Sequence, residues 1–173
     1  LSLYGDSAHY ELGLSVENTS DDGYLIFGAA NDTTDAVDVY EFYIVKTDSI
    51  GIMEWDTIIS DSGSAWISGS IQTKDGNYLV YGNINGQVFT MFDSAANILW
   101  QKSFAGGMEK LRQLPDSSFI GVGSFGGSAT LIKFNSNLDS IWARTFTNTN
   151  GSFRDVQQTI DGGFIITGSS QGD

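Results

Sequence analysis

Few residues in this chain have the type and spacing to do chemistry. Asp32, Asp35 and Asp38 fall together in the string NDTTDAVD. Hard carboxylate and carbonyl oxygens at such spacing could hold Ca²⁺. The string lacks the glycine and the terminal glutamate of an EF-hand loop, and a solvated acidic loop is its plainer reading. These three residues are the candidate binding site of the sequence, with Ca²⁺ the one ion considered and no other cofactor implied. The single histidine, His9, falls in a linker between predicted strands. A lone imidazole is more often a surface or hydrogen-bonded group than a base. With no cysteine and no nucleophile motif, thiol and Ser-His-Asp chemistry have no support. No catalytic residue is assigned, and the enzyme question stays open with the balance toward none.

Two fragments invite comparison with sialidases. ISDSGSAW (59–66) keeps the Asp61, Gly63 and Trp66 of an Asp-box but loses its Ser and Thr, and it falls between repeat units. The three arginines, Arg112, Arg144 and Arg154, equal in number the carboxylate clamp of those enzymes. Their places on first and fourth strands of the repeat described below do not imply convergence on one pocket, and no acid and base pair can be assigned.

The elements that must position these residues come from a repeat. Four strings share one pattern: NTSDDGYLIFG (18–28), QTKDGNYLVYG (72–82), QLPDSSFIGVG (113–123) and QTIDGGFIITG (158–168). Asp21, Asp75, Asp116 and Asp161 stand three residues before Tyr24, Tyr78, Phe119 and Phe164, and seven before Gly28, Gly82, Gly123 and Gly168. A second element follows the first three copies, in which Asp48, Asp93 or Asn135 precedes Trp55, Trp100 or Trp142 by seven residues. Each unit resolves into four short strands with turn signals between them. Units of 41 to 54 residues built this way predict an all-β chain of four-stranded antiparallel β-propeller blades.

The expected boundaries are 1–6 for the last strand of a preceding blade, then blades at 7–60, 61–105 and 106–147, and the first half of a further blade at 148–173. That makes fifteen strands, one short of a closed four-blade ring, so a part of a larger propeller is expected. The three tryptophans are expected to fill gaps between adjacent blades, with the indole N–H meeting a backbone acceptor. Asn18, Gln72, Gln113 and Gln158, at one equivalent position, are expected to cross-link sheets by hydrogen bonds. The apolar second strands are expected to be covered on both faces. The first unit carries an insertion, AANDTTDAVDVYE (29–41), read as a loop. The third replaces Asp-Gly by Asp116-Ser-Ser, which predicts a looser or different turn.

The net charge of −13, from 21 acidic and 8 basic residues, argues against nucleic acid or an anionic membrane surface as partner. It suits solubility in a salty or extracellular setting. No apolar run approaches the roughly 20 residues of a membrane span, so no integral membrane segment is expected.

The strings QTIDGGFIITG, IVKTDSIGIMEW and LIKFNSNLDSIW resemble the surface-propeller repeats of Bacteroidota proteins exported by the type IX secretion system. The resemblance covers nearly the whole chain and implies a secreted or cell-surface bacterial protein. Such proteins usually carry a signal peptide and a sorting domain, neither of which is visible in this sequence. The expected function is a non-enzymatic scaffold that presents loops, the 29–41 insertion first, to a protein or glycan at the cell surface. One alternative is a polysaccharide hydrolase or lyase with carboxylates meeting at the propeller axis. Another is a component or client of an export complex.

Overall fold

A computed structural model of the chain describes residues 9–32, 40–59, 65–84, 86–147 and 151–169. The apolar strings form fourteen strands among these residues, and no helix. β1 (His9–Asn18), β2 (Tyr24–Asp32), β3 (Tyr40–Thr47) and β4 (Met53–Ile59) make the first sheet. β5 (Ala65–Gln72), β6 (Tyr78–Ile84), β7 (Gln87–Phe92) and β8 (Ile98–Ser103) make the second. β9 (Gly107–Gln113), β10 (Phe119–Phe125), β11 (Ser128–Phe134) and β12 (Ser140–Phe146) make the third. β13 (Ser152–Gln158) and β14 (Phe164–Ser169) form a two-stranded sheet. Every pairing is antiparallel between neighbours in sequence, the meander of a propeller blade. The string 1–6, expected to be a fourth strand, lies outside the described residues. The chain divides into two compact units, Leu1–Phe104 and Ala105–Asp173.

One turn geometry explains both repeated spacings. Between β1 and β2, the N–H of Asp22 donates to the carbonyl of Thr19, and the N–H of Thr19 to that of Gly23. The same two bonds recur at 73–77, 114–118 and 159–163, and again between third and fourth strands at 48–52, 93–97 and 135–139. This is a type I turn closed by a residue at positive φ. In the second-to-occur turns of each blade, Asp48, Asp93 and Asn135 stand first. Their side-chain Oδ1 accepts from two backbone N–H groups ahead: Ile50 and Ile52, Ala95 and Asn97, Asn137 and Asp139, at 2.8–3.0 Å. An Asx side chain satisfies two turn donors there, which is why Asp or Asn holds that position.

The third blade's turn departs from expectation. Leu114–Ser118 makes the same pair of bonds, at 2.7 and 3.0 Å, with Ser117 at φ 65° where Gly76 and Gly162 both have φ 84°. The turn type is unchanged; a serine is held in the left-handed region, anchored by Ser118 N–H and Oγ–H donating to Asp116. Asp22, Ala96 and Leu138 occupy the same region. Ser117→Gly is therefore expected to stabilise the second unit by about 0.5–1 kcal/mol, the steric relief exceeding the added chain entropy. Urea titration checks it. Leu138→Gly is expected to do the opposite, because that side chain is buried.

Each four-stranded sheet also carries two bulges, and the two-stranded sheet one. On first strands the extra residues are Leu14, Ser68, Glu109 and Arg154, next to the pairs Gly13↔Gly28, Ile67↔Gly82, Met108↔Gly123 and Phe153↔Gly168. The bulge drives a carbonyl onto the repeated glycine. A Cβ on Gly28, Gly123 or Gly168 would lie 2.3, 1.9 or 2.5 Å from the carbonyl oxygen of Leu12, Gly107 or Ser152. On fourth strands the extra residues are Glu54, Leu99 and Ile141, each directly before the Trp.

Two further readings change. His9 is the first residue of β1, opposite Asp32, rather than in a linker. The 29–41 insertion is partly strand, since β2 and β3 stay paired out to Asn31↔Tyr40. Strand extension is the cheaper use of Ala29 and Ala30, which are buried.

Candidate functional site

In the first unit the cores of the first two sheets merge into one cluster that includes Leu25, Phe27, Phe42, Ile44, Tyr78 and Val80, with Trp55 packed against it. The Trp55 ring lies 6.0 Å from that of Tyr78, and its indole N–H donates to the Ser94 carbonyl at 3.0 Å. Gln72 Oε1 accepts from the Ser20 N–H at 2.6 Å, from one sheet to the next. Beside them Lys46 is only 2% exposed, with its Nζ 2.8 Å from Asp21, Glu54 and the Thr47 carbonyl. The Lys46 hydrogen bond is the main reason that the Asp21 carboxyl falls to about 2, aided by bonds from Thr19 and Gly23. Burial opposes the charge on Lys46, yet the bonds to Asp21 and Glu54 outweigh it and raise its pKa.

The second unit repeats the plan. Trp142 and Phe164 pack edge-on at 6.5 Å over Leu114, Ile120, Val122, Leu131 and Val156. Lys133 lies 3.4 Å from Asp116, the counterpart of the Lys46–Asp21 pair. Arg112 donates to the Val156 carbonyl at 2.6 Å and to Asp155 at 2.9 Å, and Arg154 to Glu109 at 2.8 Å. Arg144 lies over the Trp142 ring at 5.8 Å. All three arginines are thus engaged locally. Gln158 is exposed at the end of β13. The residue equivalent to Ser20 ahead of it is Pro115, which has no N–H to give.

The remaining repeat residues serve turns and strand ends. Asp75 accepts from Asn77 Nδ2 at 2.9 Å, Asp161 from the Gly163 N–H at 3.1 Å, and Gln113 donates to the Ser117 carbonyl at 3.4 Å. Asn18 ends β1, and Trp100 is half-buried on β8. Asp35 and Asp38 lie outside the described residues, as do Asp61 and Gly63; Asp32 ends β2 and is described in its backbone alone. Among the described residues no group of three or more His, Cys, Asp or Glu side chains could hold a metal ion.

One concave feature stands on the other face of the first sheet. Leu12, Gly13, Ile26, Phe27, Gly28, Tyr43 and Val45 line an open cavity of about 240 Å³. The paired glycines leave its floor without side chains, and Tyr43 forms a wall, its hydroxyl donating to Asp56 at 3.0 Å. Val16, Ile58 and Tyr24 on the same face are 59%, 42% and 37% exposed. The cavity row Gly28↔Tyr43 is three residue pairs from Asn31↔Tyr40, where the insertion leaves the sheet. Sequence reasoning missed Tyr43 and Asp56, which no spacing marks: the β3–β4 register alone brings them together. It also missed Lys46 and Lys133, although a lysine two residues before the turn Asp or Asn in an otherwise apolar strand was a readable signal.

Fold and side chains together define an all-β protein of repeated four-stranded antiparallel blades. No family model and no curated protein matches the chain. Among solved structures it is similar to a protein of unknown function from Bacteroides caccae, with a TM-score of 0.64 and 12% identity, over 95% of this chain and 58% of that one. The likeness is one of fold. Among the described residues no helix is long and apolar enough to cross a membrane.

Proposed function

We propose that the chain is a non-enzymatic binding scaffold of the bacterial cell surface or exterior, which takes a protein or glycan partner on the outer face of its first sheet. The observation that carries this reading is the cavity walled by Tyr43 beside Asp56, within an exposed apolar face and near the insertion. An aromatic face, a bare glycine floor and an adjacent carboxylate suit a saccharide ring, whose C–H face packs while its hydroxyls donate. The carboxylates with lowered pKa support it as well: Asp21, Asp93, Asp116, Asp155 and Asp161 are held by turn and junction bonds rather than gathered as an acid and base pair. The surface location rests on the repeat's resemblance to exported propeller proteins.

The test is a microarray of bacterial and host polysaccharides and surface proteins probed with the chain, with Tyr43→Ala and with residues 33–39 deleted. Binding is expected, and each change is expected to weaken it at least about tenfold, as loss of a central aromatic does. Release of reducing ends from a bound polysaccharide would instead make the chain an enzyme. Binding indifferent to both changes would remove this face from consideration.

A further inference from the structure

The turns between third and fourth strands share one backbone, yet they differ in what they expose. Two, four and five residues after Asp48 stand Ile50, Ile52 and Met53; after Asp93, Ala95, Asn97 and Ile98; after Asn135, Asn137, Asp139 and Ser140. The three polar residues of the last set are all exposed, and the turn closes with the same two backbone bonds in every case. The turn therefore does not require aliphatic side chains at these positions. Ile50, Ile52 and Met53 are nevertheless 80%, 58% and 48% exposed, and Ile98 and Leu99 are 50% exposed each. Side-chain bonds bring the turns of the first unit to one end. The Trp55 indole N–H on the Ser94 carbonyl joins 48–55 to 93–99, and the Ser20 N–H on Gln72 joins the two turns between first and second strands. Met53 is two residues from Trp55 and Ile98 is four from Ser94, so aliphatic residues of both turns flank that contact. An exposed aliphatic group of this kind marks an interaction surface.

A second, independent observation is one of charge. Asp48 and Asp93 each take two turn N–H groups on Oδ1, and Asn135 does the same without a charge. The negative charge at 48 and 93 is thus more than the turn needs. Asp21 and Glu54, with partly exposed side chains, share the single ammonium of Lys46, and Asp22 next to Asp21 is exposed. Lys46, Lys74 and Lys102 are the only lysines or arginines in residues 1–104, so most of the net charge of −13 falls on the first unit.

We propose that this end of the first unit docks a basic, aliphatic-rich segment of a partner protein. The aliphatic side chains of that segment cover Ile50, Ile52, Met53, Ile98 and Leu99. Its lysines or arginines meet Asp48, Asp93 and the carboxylates around Lys46. An apolar centre with a charged rim is the anatomy of a protein interface, and the rim sets the approach of the partner and its salt dependence. A neutral glycan or a nucleic acid supplies no cation for that rim. The surface is separate from the Tyr43 cavity, so this inference and the binding face proposed above fail separately.

The probe is an eight-residue peptide of alternating leucine and lysine, titrated into the full chain while backbone amide shifts are followed. Saturable binding is expected, with shifts at 48–54 and 93–99 and an affinity that weakens as salt is added. A triple variant, Ile50→Asn with Ile52→Asn and Met53→Ser, takes at each position a residue that an equivalent turn already carries, as Asn137, Asn97 and Ser140 show. It is expected to weaken binding at least about tenfold. Asp48→Asn with Asp93→Asn keeps the Oδ1 turn bonds and should weaken binding at low salt while flattening the salt dependence. Unchanged affinity in the triple variant, or no saturable binding by the parent, would overturn the proposal. Equal binding of a serine–lysine peptide would do the same, by reducing the contact to charge alone. Shifts confined to the Gly28–Tyr43 face would also overturn it and assign the peptide to the surface proposed above. So would dimerisation of the chain that the triple variant abolishes, which would make a second copy the occupant.

Discussion

Gly123→Ala is expected to destabilise the second unit by about 3 kcal/mol. The added Cβ would stand 1.9 Å from the carbonyl oxygen of Gly107 and 2.9 Å from its carbonyl carbon. Both are backbone atoms of the adjacent strand, so no side-chain rotation relieves the clash. Either the bulge at Glu109 opens, breaking pairs between β9 and β10, or the two strands separate. Gly107→Ala is the matched control, because its Cβ would meet the Ser124 carbonyl oxygen at 3.5 Å, an ordinary contact. It should cost no more than about 1 kcal/mol. Urea titration of the second unit, followed through Trp142, reads the difference. A fall in midpoint of more than about 1 M is expected for the first variant and little change for the second. Equal effects would mean that the repeated glycine serves chain flexibility and not the bulge.

That glycine shows what kind of information the sequence carries. A spacing of seven from Asp to Gly was readable as a repeat, because turn chemistry and strand length are local and recur. The reason for the glycine was not, because the carbonyl that presses on it belongs to another strand and depends on a bulge that no residue type announces. The same division holds at the third turn. Asp116-Ser117-Ser118 looked like a different turn, since local propensity disfavours serine at positive φ; hydrogen bonds to Asp116 and the pairing of the two flanking strands override a cost of about 1 kcal/mol. The candidate site was less legible still. The acidic insertion was visible as a departure from the repeat, whereas the cavity beneath Tyr43 exists through glycines paired across β1 and β2 and a tyrosine bonded to a carboxylate thirteen residues away.

Lys46 separates two explanations of why a charge is buried in a propeller blade, and a pair of substitutions distinguishes them. If its value lies in filling space beside Trp55, Lys46→Met should be tolerated within about 1 kcal/mol. The chain supports this through its own second sheet, where Met91 holds the same position, opposite Trp100, and is 6% exposed. Asp21 and Glu54 have side chains 54% and 45% exposed, so water can take over their solvation once the ammonium is gone. Lys46→Ala removes the stem as well and should cost about 3 kcal/mol through the cavity left behind. The two variants also differ from the parent in acid. Asp21 in the folded chain titrates at about 2, below its ordinary value, so the unfolded chain binds more protons between about pH 4 and pH 2. Stability from this group is present above pH 4 and is lost as pH falls through 2. In Lys46→Met the principal hydrogen bond to Asp21 disappears while those from Thr19 and Gly23 remain. Its stability should therefore fall less steeply than the parent's over that window, read by urea titration at a series of pH values. A parallel fall in both would show that Lys46 does not hold the Asp21 proton off. A methionine variant as unstable as the alanine one would show that the ion pairs to Asp21 and Glu54, and not the buried stem, carry the contribution of Lys46 to the first sheet.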